Sequence, residues 1–378
     1  MIIIIGTKTI DLVFRHACRY LIRRDFSTMG DDQAVLVEKG IARFVHPQTH
    51  KVDLSEPLVL LGCWRWFETH KNRGSRRTIH QYIVEALENK ETNFDGFENY
   101  VAFMLDLAFS KSVPLYRIFN FPDNPPPWAS EPAELVMVDR RGGIEQVSMV
   151  QFFQGQTPSA TLGATAQQES QVTAWLNGTN PAPMLFPPTS MGPDILFVLR
   201  LCDETLIWVA VQSKLIGDEQ LKTEVLKSAV KSITPEFFYI QHNGDYFVHA
   251  TQPNLVQQTR VGLTRLPNPC QTSGSYTVLR VLASFPADVG IERLKGGECP
   301  HPLVTLNFEY LKSLTQDMPP KNYLTCAAQH IISMRKENLG SEQDEVPRKN
   351  KRGKTKADES GDSPPAKRTR VATKSGKR

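Results

Sequence analysis

At 378 residues, with 40% hydrophobic and 22% charged side chains, the chain has the composition of a soluble globular protein with material for one large domain or two ordinary ones. Its formal charge of +4 divides unevenly: Arg335 to Arg378 carries 14 Lys/Arg against 7 Asp/Glu, leaving 30 against 33, so a tail at +7 follows a body at −3. That excludes general electrostatic steering of the body toward nucleic acid, which must bind a local patch or the tail.

The apolar start, Met1 to Ile5, is far shorter than the roughly 20 residues of a membrane span, and no signal-peptide cleavage pattern follows. No membrane partner is expected. The scattered cysteines Cys18, Cys63, Cys202, Cys270, Cys299 and Cys326 fit reduced thiols in an intracellular setting. Apolar residues at helical spacing with arginines between them predict a helix over 10–24; Asp11 and the lack of a serine-rich lead argue against a transit peptide. Residues 34–68 predict a small strand-and-helix module. Over 95–109, Phe97, Tyr100, Val101, Met104, Leu105 and Ala108 fall on one stripe, with Glu98 in the first turn.

Beyond the proline-rich stretch 122–127, Ala133 to Asp139 predicts a strand stopped by Arg141-Gly142-Gly143, and 167–176 a short helix. Gly192-Pro193-Asp194, the apolar run 195–201 and the apolar run 206–211 leading into Gln212-Ser213-Lys214 predict a β-hairpin. Gly217-Asp218-Glu219 reads as the opening of a helix ended by Pro235, and short strands are expected over 237–241 and 246–250 around an Asn-Gly turn. A strand over 275–285 and a strand then a helix over 303–333 complete the fold. The expected organisation is a small module over 1–85, a main domain over 86–335 with an insertion at 143–190, and a disordered basic tail over 336–378.

The hairpin carries the chemistry. Gln212 and Lys214, two apart on a strand, share a face. Asp194 joins them only if paired residue numbers sum to an even value, which requires an odd number of turn residues; a two-residue turn sets Asp194 opposite Ser213 instead. A carboxylate, an amide oxygen and an ammonium at one hairpin mouth suit a hard divalent cation beside a phosphate. The plainer alternative is a core hairpin whose Asp caps a turn and whose Lys snorkels at a strand end.

Pro-Asp on one strand and an acidic or amide residue, x, Lys on the next resembles the PD-(D/E)XK restriction-endonuclease-like superfamily. The resemblance implies an α/β (α+β) fold, a mixed sheet flanked by helices, and Mg²⁺- or Mn²⁺-dependent hydrolysis of DNA phosphodiesters. It implies Asp194, Gln212 and Glu98 as metal ligands and Lys214 as the group orienting water, with Glu169 the alternative to Glu98. Gly40-Ile41-Ala42-Arg43-Phe44, Glu56-Pro57-Leu58-Val59, Phe97-Glu98 and the hairpin together are similar to the C-terminal nuclease region of Crinkler-type effector and transposon-associated proteins. In longer relatives a P-loop NTPase precedes this region; no Gly-x-x-x-x-Gly-Lys-Ser/Thr occurs here, so 1–85 is expected to be a remnant of an upstream domain. Gln212 departs from the usual carboxylate, which keeps open a catalytically inactive binding or regulatory module derived from a mobile element or effector.

In the tail, Arg348, Lys349, Lys351, Arg352, Lys354 and Lys356 form one basic cluster and Lys367, Arg368 and Arg370, after Pro364-Pro365, a second. Together they resemble a bipartite nuclear-import signal, which implies a nuclear protein and an import receptor as partner. Cys299, His301, Cys326 and His330 are a candidate zinc tetrad, though without the spacing of a standard finger.

Overall fold

Alternation along two central strands organises the fold, seen in a computed structural model that describes residues 7–24, 36–37, 42–46, 51–53, 82–83, 93–122, 125–149, 161–239, 253–266, 276–291 and 300–316. Contacts divide the chain into Met1–Arg335 and Lys336–Arg378, and every described residue belongs to the first unit. Strands β8 (Ile195–Leu201) and β9 (Leu206–Gln220) run antiparallel. Their odd-numbered residues Ile195, Phe197, Leu199, Ile207, Val209 and Val211 enter one core cluster; Leu196, Val198, Leu206, Trp208 and Ala210 enter another. With side chains alternating across a strand, the two clusters lie on opposite faces of the sheet. Near-continuous apolar runs are what a sheet buried on both faces demands.

The first face is covered by α1 (Thr7–Arg23), which contributes Phe14, Cys18, Leu21 and Ile22, by α2 (Asn93–Phe109), by α3 (Leu115–Ile118), and by α7 (Phe308–Leu314) through Leu311. The expected stripe on α2 is buried, but so are Ala102, Phe103 and Leu107 on its other sides. A helix apolar nearly all round is an interior helix. Glu98 is its more exposed exception between Phe97 and Asn99. The second face is covered by α4 (Glu169–Leu176), α5 (Thr223–Ser232) and α6 (Pro253–Leu263), which bring Trp175, Leu176, Leu226, Ala229 and Leu263 against Trp208 and Ala210.

Among the described residues the main sheet has nine strands, with β3 (Phe119–Asn120), β11 (Leu303–Leu306), β10 (Val278–Asp288), β9, β8, β4 (Ala133–Asp139) and β5 (Gln146–Met149) in spatial order; β7 (Met184–Phe186) flanks the start of β8, and β6 (Gly163–Thr165) pairs with β7. Strands β4, β8 and β9 form an antiparallel run, whereas β10 lies parallel to β9 and β11 parallel to β10. The return from β9 to a parallel β10 passes through α5 and α6. This is a mixed α/β architecture. Apart from it, β1 (Arg43–His46) and β2 (Lys51–Asp53) form a two-stranded antiparallel ribbon.

Two expectations are corrected. Gly217-Asp218-Glu219 does not open a helix: β9 runs on to Gln220, paired with β10 up to Ile216 and again at Gln220 after a register irregularity that takes in 217–219, and α5 begins at Thr223. The strand expected over 237–241 is instead a 3-10 turn over Pro235–Phe237 followed by an isolated bridge between Tyr239 and Met191, so the strand beside β9 is β10. The expected strand over 246–250, nearly all of the 34–68 module, the tail with its basic clusters, and Cys299, Cys326 and His330 lie outside the described residues.

Candidate functional site

The turn between β8 and β9 sets which side chains meet. Leu201 N–H donates to the Thr205 carbonyl at 2.9 Å and Glu204 N–H to the Leu201 carbonyl at 3.1 Å, so Cys202, Asp203 and Glu204 form a three-residue turn, with Glu204 left-handed at φ 65°. An odd turn gives pairs Ile195↔Val211 through Arg200↔Leu206, each summing to 406. Continued by one step, the register brings Asp194 opposite Gln212.

Asp194 sits where β8 ends and β9 runs on. Its N–H donates to the Val211 carbonyl at 2.8 Å, off the regular ladder, and its Oδ2 accepts from Ser213 N–H at 2.6 Å. The carboxylate thus replaces the missing strand as acceptor for β9. The same Oδ2 accepts from Gln212 Nε2, whose other end, Oε1, is hydrogen-bonded to the Ser232 hydroxyl at the end of α5. Gln212 and Ser232 are buried, at 3% and 0% exposure. Gly192 makes this closeness possible, because a Cβ there would lie 2.3 Å from the Ser232 carbonyl oxygen.

Glu98 and Lys214 complete the electrostatics. Burial, then the negative charge of Glu98, push the Asp194 carboxyl from its ordinary 3.8 up to about 7; the Lys214 ammonium, the Ser213 amide and the Gln212 amide pull the other way. Glu98 on α2 is therefore within the field of Asp194, although α2 packs on the sheet face opposite Gln212. Asp194 lies one residue before β8, beyond the last regular pair of the hairpin. Among the described residues Asp194 Oδ1 accepts no hydrogen bond, and Lys214, half-buried, forms no ion pair. Glu169, the alternative carboxylate, is bound to the Ser190 hydroxyl at 2.5 Å and contributes nothing to the shift at Asp194.

Several neighbours escaped sequence reasoning. Arg23, in the last turn of α1, donates Nη2 to Glu98 and Nε to Asn99 Oδ1, and its guanidinium stacks 4.3 Å from the centre of the Phe186 ring. The contact with Glu98 crosses 75 positions of sequence. Ser232 and Ser284 are the other two. Ser284 pairs with Lys214 across the parallel β9–β10 ladder, is 6% exposed, and its hydroxyl has no partner among the described residues. The only advance signal for Ser232 was its place at the end of an amphipathic helix following the hairpin.

Chemically, one carboxylate with an uncommitted oxygen, a second carboxylate in its field, and an uncommitted ammonium suit a divalent cation beside a phosphate oxygen. Gln212 is brought to the site, but with its amide nitrogen, not its oxygen, turned to Asp194. Among the described residues no three His, Cys, Asp or Glu side chains cluster to hold a metal. His301 is buried, its ring stacked 5.1 Å from that of Tyr276 and its Nε2 lying 3.9 Å from Glu236 Oε1, with Val278 N–H on Nδ1 at 3.5 Å. No helix among the described residues is long and apolar enough to cross a membrane. No protein-family model, no curated protein and no solved structure matches the chain.

Proposed function

We propose that this protein is a divalent-cation-dependent phosphodiesterase acting on DNA, built on a PD-(D/E)XK-like core. The observation that carries the proposal is the Asp194 carboxylate: one oxygen saturated by Ser213 and Gln212, the other uncommitted, in the fields of Glu98 and Lys214. The element order supports it. Helix α2, strand β4, the β8–β9 hairpin and helix α5 come in the order the resemblance leads one to expect, while the strand expected at 237 gives way to β10, later in the chain and parallel to β9.

The donor set fits a hard cation. Burial and then the charge of Glu98 raise the Asp194 pKa, and a cation near both carboxylates offsets the two effects together. Asp194 and Glu98 would hold the Mg²⁺ or Mn²⁺ in this proposal, with Gln212 as a neutral ligand, and the chemistry supplied there would be polarisation of the phosphodiester and a more acidic water. The chain's own part is orientation. Lys214, free of ion pairs among the described residues, sets its ammonium against a non-bridging phosphate oxygen or the attacking water. Arg23 fixes the direction of Glu98. The body's charge of −3 means DNA is held locally, and the basic tail supplies both phosphate attraction and nuclear import through Arg348, Lys349, Lys351, Arg352, Lys354, Lys356, Lys367, Arg368 and Arg370.

The test is cleavage of plasmid DNA in Mg²⁺ or Mn²⁺ by wild type, Asp194→Ala and Lys214→Ala. Loss in both variants is expected; equal cleavage by all three overturns the mechanism. The engagement of Glu98 by Arg23 and the amide at Gln212 favour a second reading, a nucleic-acid-binding module without catalysis. Metal-independent DNA binding with no cleavage by wild type selects it.

A further inference from the structure

Ser232 has one hydroxyl proton and two acceptors within reach, the Ala229 carbonyl at 2.7 Å and Gln212 Oε1. It donates to one at a time. With the amide as found, the Ser232 proton goes to Oε1, while Gln212 Nε2 donates to Asp194. A half-turn of the amide exchanges its ends: Oε1 then faces Asp194, Nε2 donates to Ser232 Oγ, and the hydroxyl proton passes to the Ala229 carbonyl. Ser232 keeps a partner in both positions, whereas Asp194 loses its amide donor in the second and meets Oε1 instead, two acceptors that a cation between them brings together. The terminal amide torsion is soft and roughly two-fold, and exchanging two atoms of similar size needs no extra room. That matters in a site where Gln212 is buried and the Gly192 backbone abuts Ser232.

We propose that the Gln212 amide is a two-position switch seated on Ser232, presenting its nitrogen to Asp194 when no divalent cation is bound and its oxygen to the cation when one is. Ser232 is the positioning residue, since its hydroxyl accepts in one position and donates in the other. The inference rests on the phosphodiesterase reading above. It also gives Gln212 a role a glutamate does not fill. A carboxylate offers oxygen at both ends and places a third negative charge beside Asp194 and Glu98, whereas the amide supplies a donor to Asp194 while the site is empty.

The test uses the full chain and two measurements. In the first, Mn²⁺ affinity by calorimetry is compared for wild type and Ser232→Ala. The variant strands an amide N–H in the cation-bound position but only a carbonyl oxygen in the other, and buried orphan N–H groups are the less tolerated, so affinity is expected to fall about tenfold. In the second, the Gln212 side-chain amide protons of wild type are followed by NMR as Mg²⁺ is added. The proton bonded to the Asp194 carboxylate is expected to leave its downfield position and to acquire contacts to the Ser232 methylene. Equal affinity in Ser232→Ala, or an amide that keeps its carboxylate-bonded shift at saturating Mg²⁺, overturns the switch while leaving the phosphodiesterase reading standing. Wild type that binds neither cation removes both, and the NMR measurement holds even if Ser232→Ala fails to fold.

Discussion

Asp194 and Gln212 meet, 18 residues apart, because the turn between their strands has an odd number of residues. That turn ends on Glu204 at φ 65°, a backbone region favoured by glycine. Glu204 contributes little there: its contact with Arg200 is 3.5 Å long and exposed. Glu204→Gly is expected to stabilise the protein by about 0.5–1 kcal/mol in urea unfolding, and Glu204→Val to destabilise it by a similar amount. A destabilised Glu204→Gly counts against the turn as the device that fixes the register.

The raised pKa of Asp194 makes stability depend on pH in a stated direction. Between 3.8 and about 7 the unfolded chain has released a proton that the folded chain keeps, so stability falls as pH rises through this window. The penalty is absent below 3.8 and complete above about 7, where it amounts to roughly 4 kcal/mol. Asn in place of Asp194 still accepts from Ser213 and Gln212 but has no charge to bury. Asp194→Asn is therefore expected to match wild type near pH 4 and exceed it at pH 8 in thermal unfolding. A stability difference that does not grow with pH would falsify the assignment.

How far the hairpin was legible follows from what sequence encodes locally. Strand alternation from Ile195 to Val211 fixed both faces, and the turn parity followed from the requirement that Asp194 reach Gln212, because both are short-range properties of backbone geometry. Arg23 was invisible: its partner Glu98 lies 75 residues away and only the packing of α1 on α2 joins them. Gly217 failed as a helix signal because its competitor, β10, arrives from beyond residue 277, and a parallel partner that holds β9 on both sides of 217–219 outweighs a local cap. Ser232 looked like any polar residue in the last turn of a helix until Gly192 brought it against the hairpin.

Replacing Gln212 by Glu tests the consequence of an amide at this position. In the metal-free protein the new carboxylate loses the hydrogen bond to Asp194 and adds a like charge to the field of Glu98 and Asp194. Gln212→Glu is expected to lower the unfolding free energy by about 2–3 kcal/mol at pH 8 without metal. With Mn²⁺ the order reverses, because a charged ligand replaces a neutral one, and calorimetry should show tighter binding than wild type. A variant that is less stable without metal and no better at binding it argues against a cation at this site.

Arg23 connects α1 to the site through Glu98 and Asn99. Arg23→Met keeps the apolar stem over Phe186 but removes the fork, and with it the ion pair to Glu98 and the hydrogen bond to Asn99. The expected loss is about 2–3 kcal/mol at pH 8 in chemical unfolding. Arg23→Lys should recover only part of it, since an ammonium does not span two acceptors as a guanidinium does. Full recovery by Lys indicates that charge alone, and not direction, holds Glu98.

Ser284 stands beside Lys214 with a hydroxyl that is buried and unpartnered among the described residues. A buried hydroxyl without a hydrogen bond costs about 1–3 kcal/mol, so a fold selected only for stability has little use for it. Ser284→Ala is expected to raise stability by about 1 kcal/mol. If the hydroxyl serves a water or phosphate oxygen carried by Lys214, the same variant cleaves DNA more slowly. Stability and rate then move in opposite directions, the pattern of a polar group kept for chemistry at the expense of packing. Measuring the melting temperature and the cleavage rate on one preparation decides it: a destabilised Ser284→Ala means the hydroxyl is bonded in the folded protein, and unchanged cleavage means Lys214 acts without it.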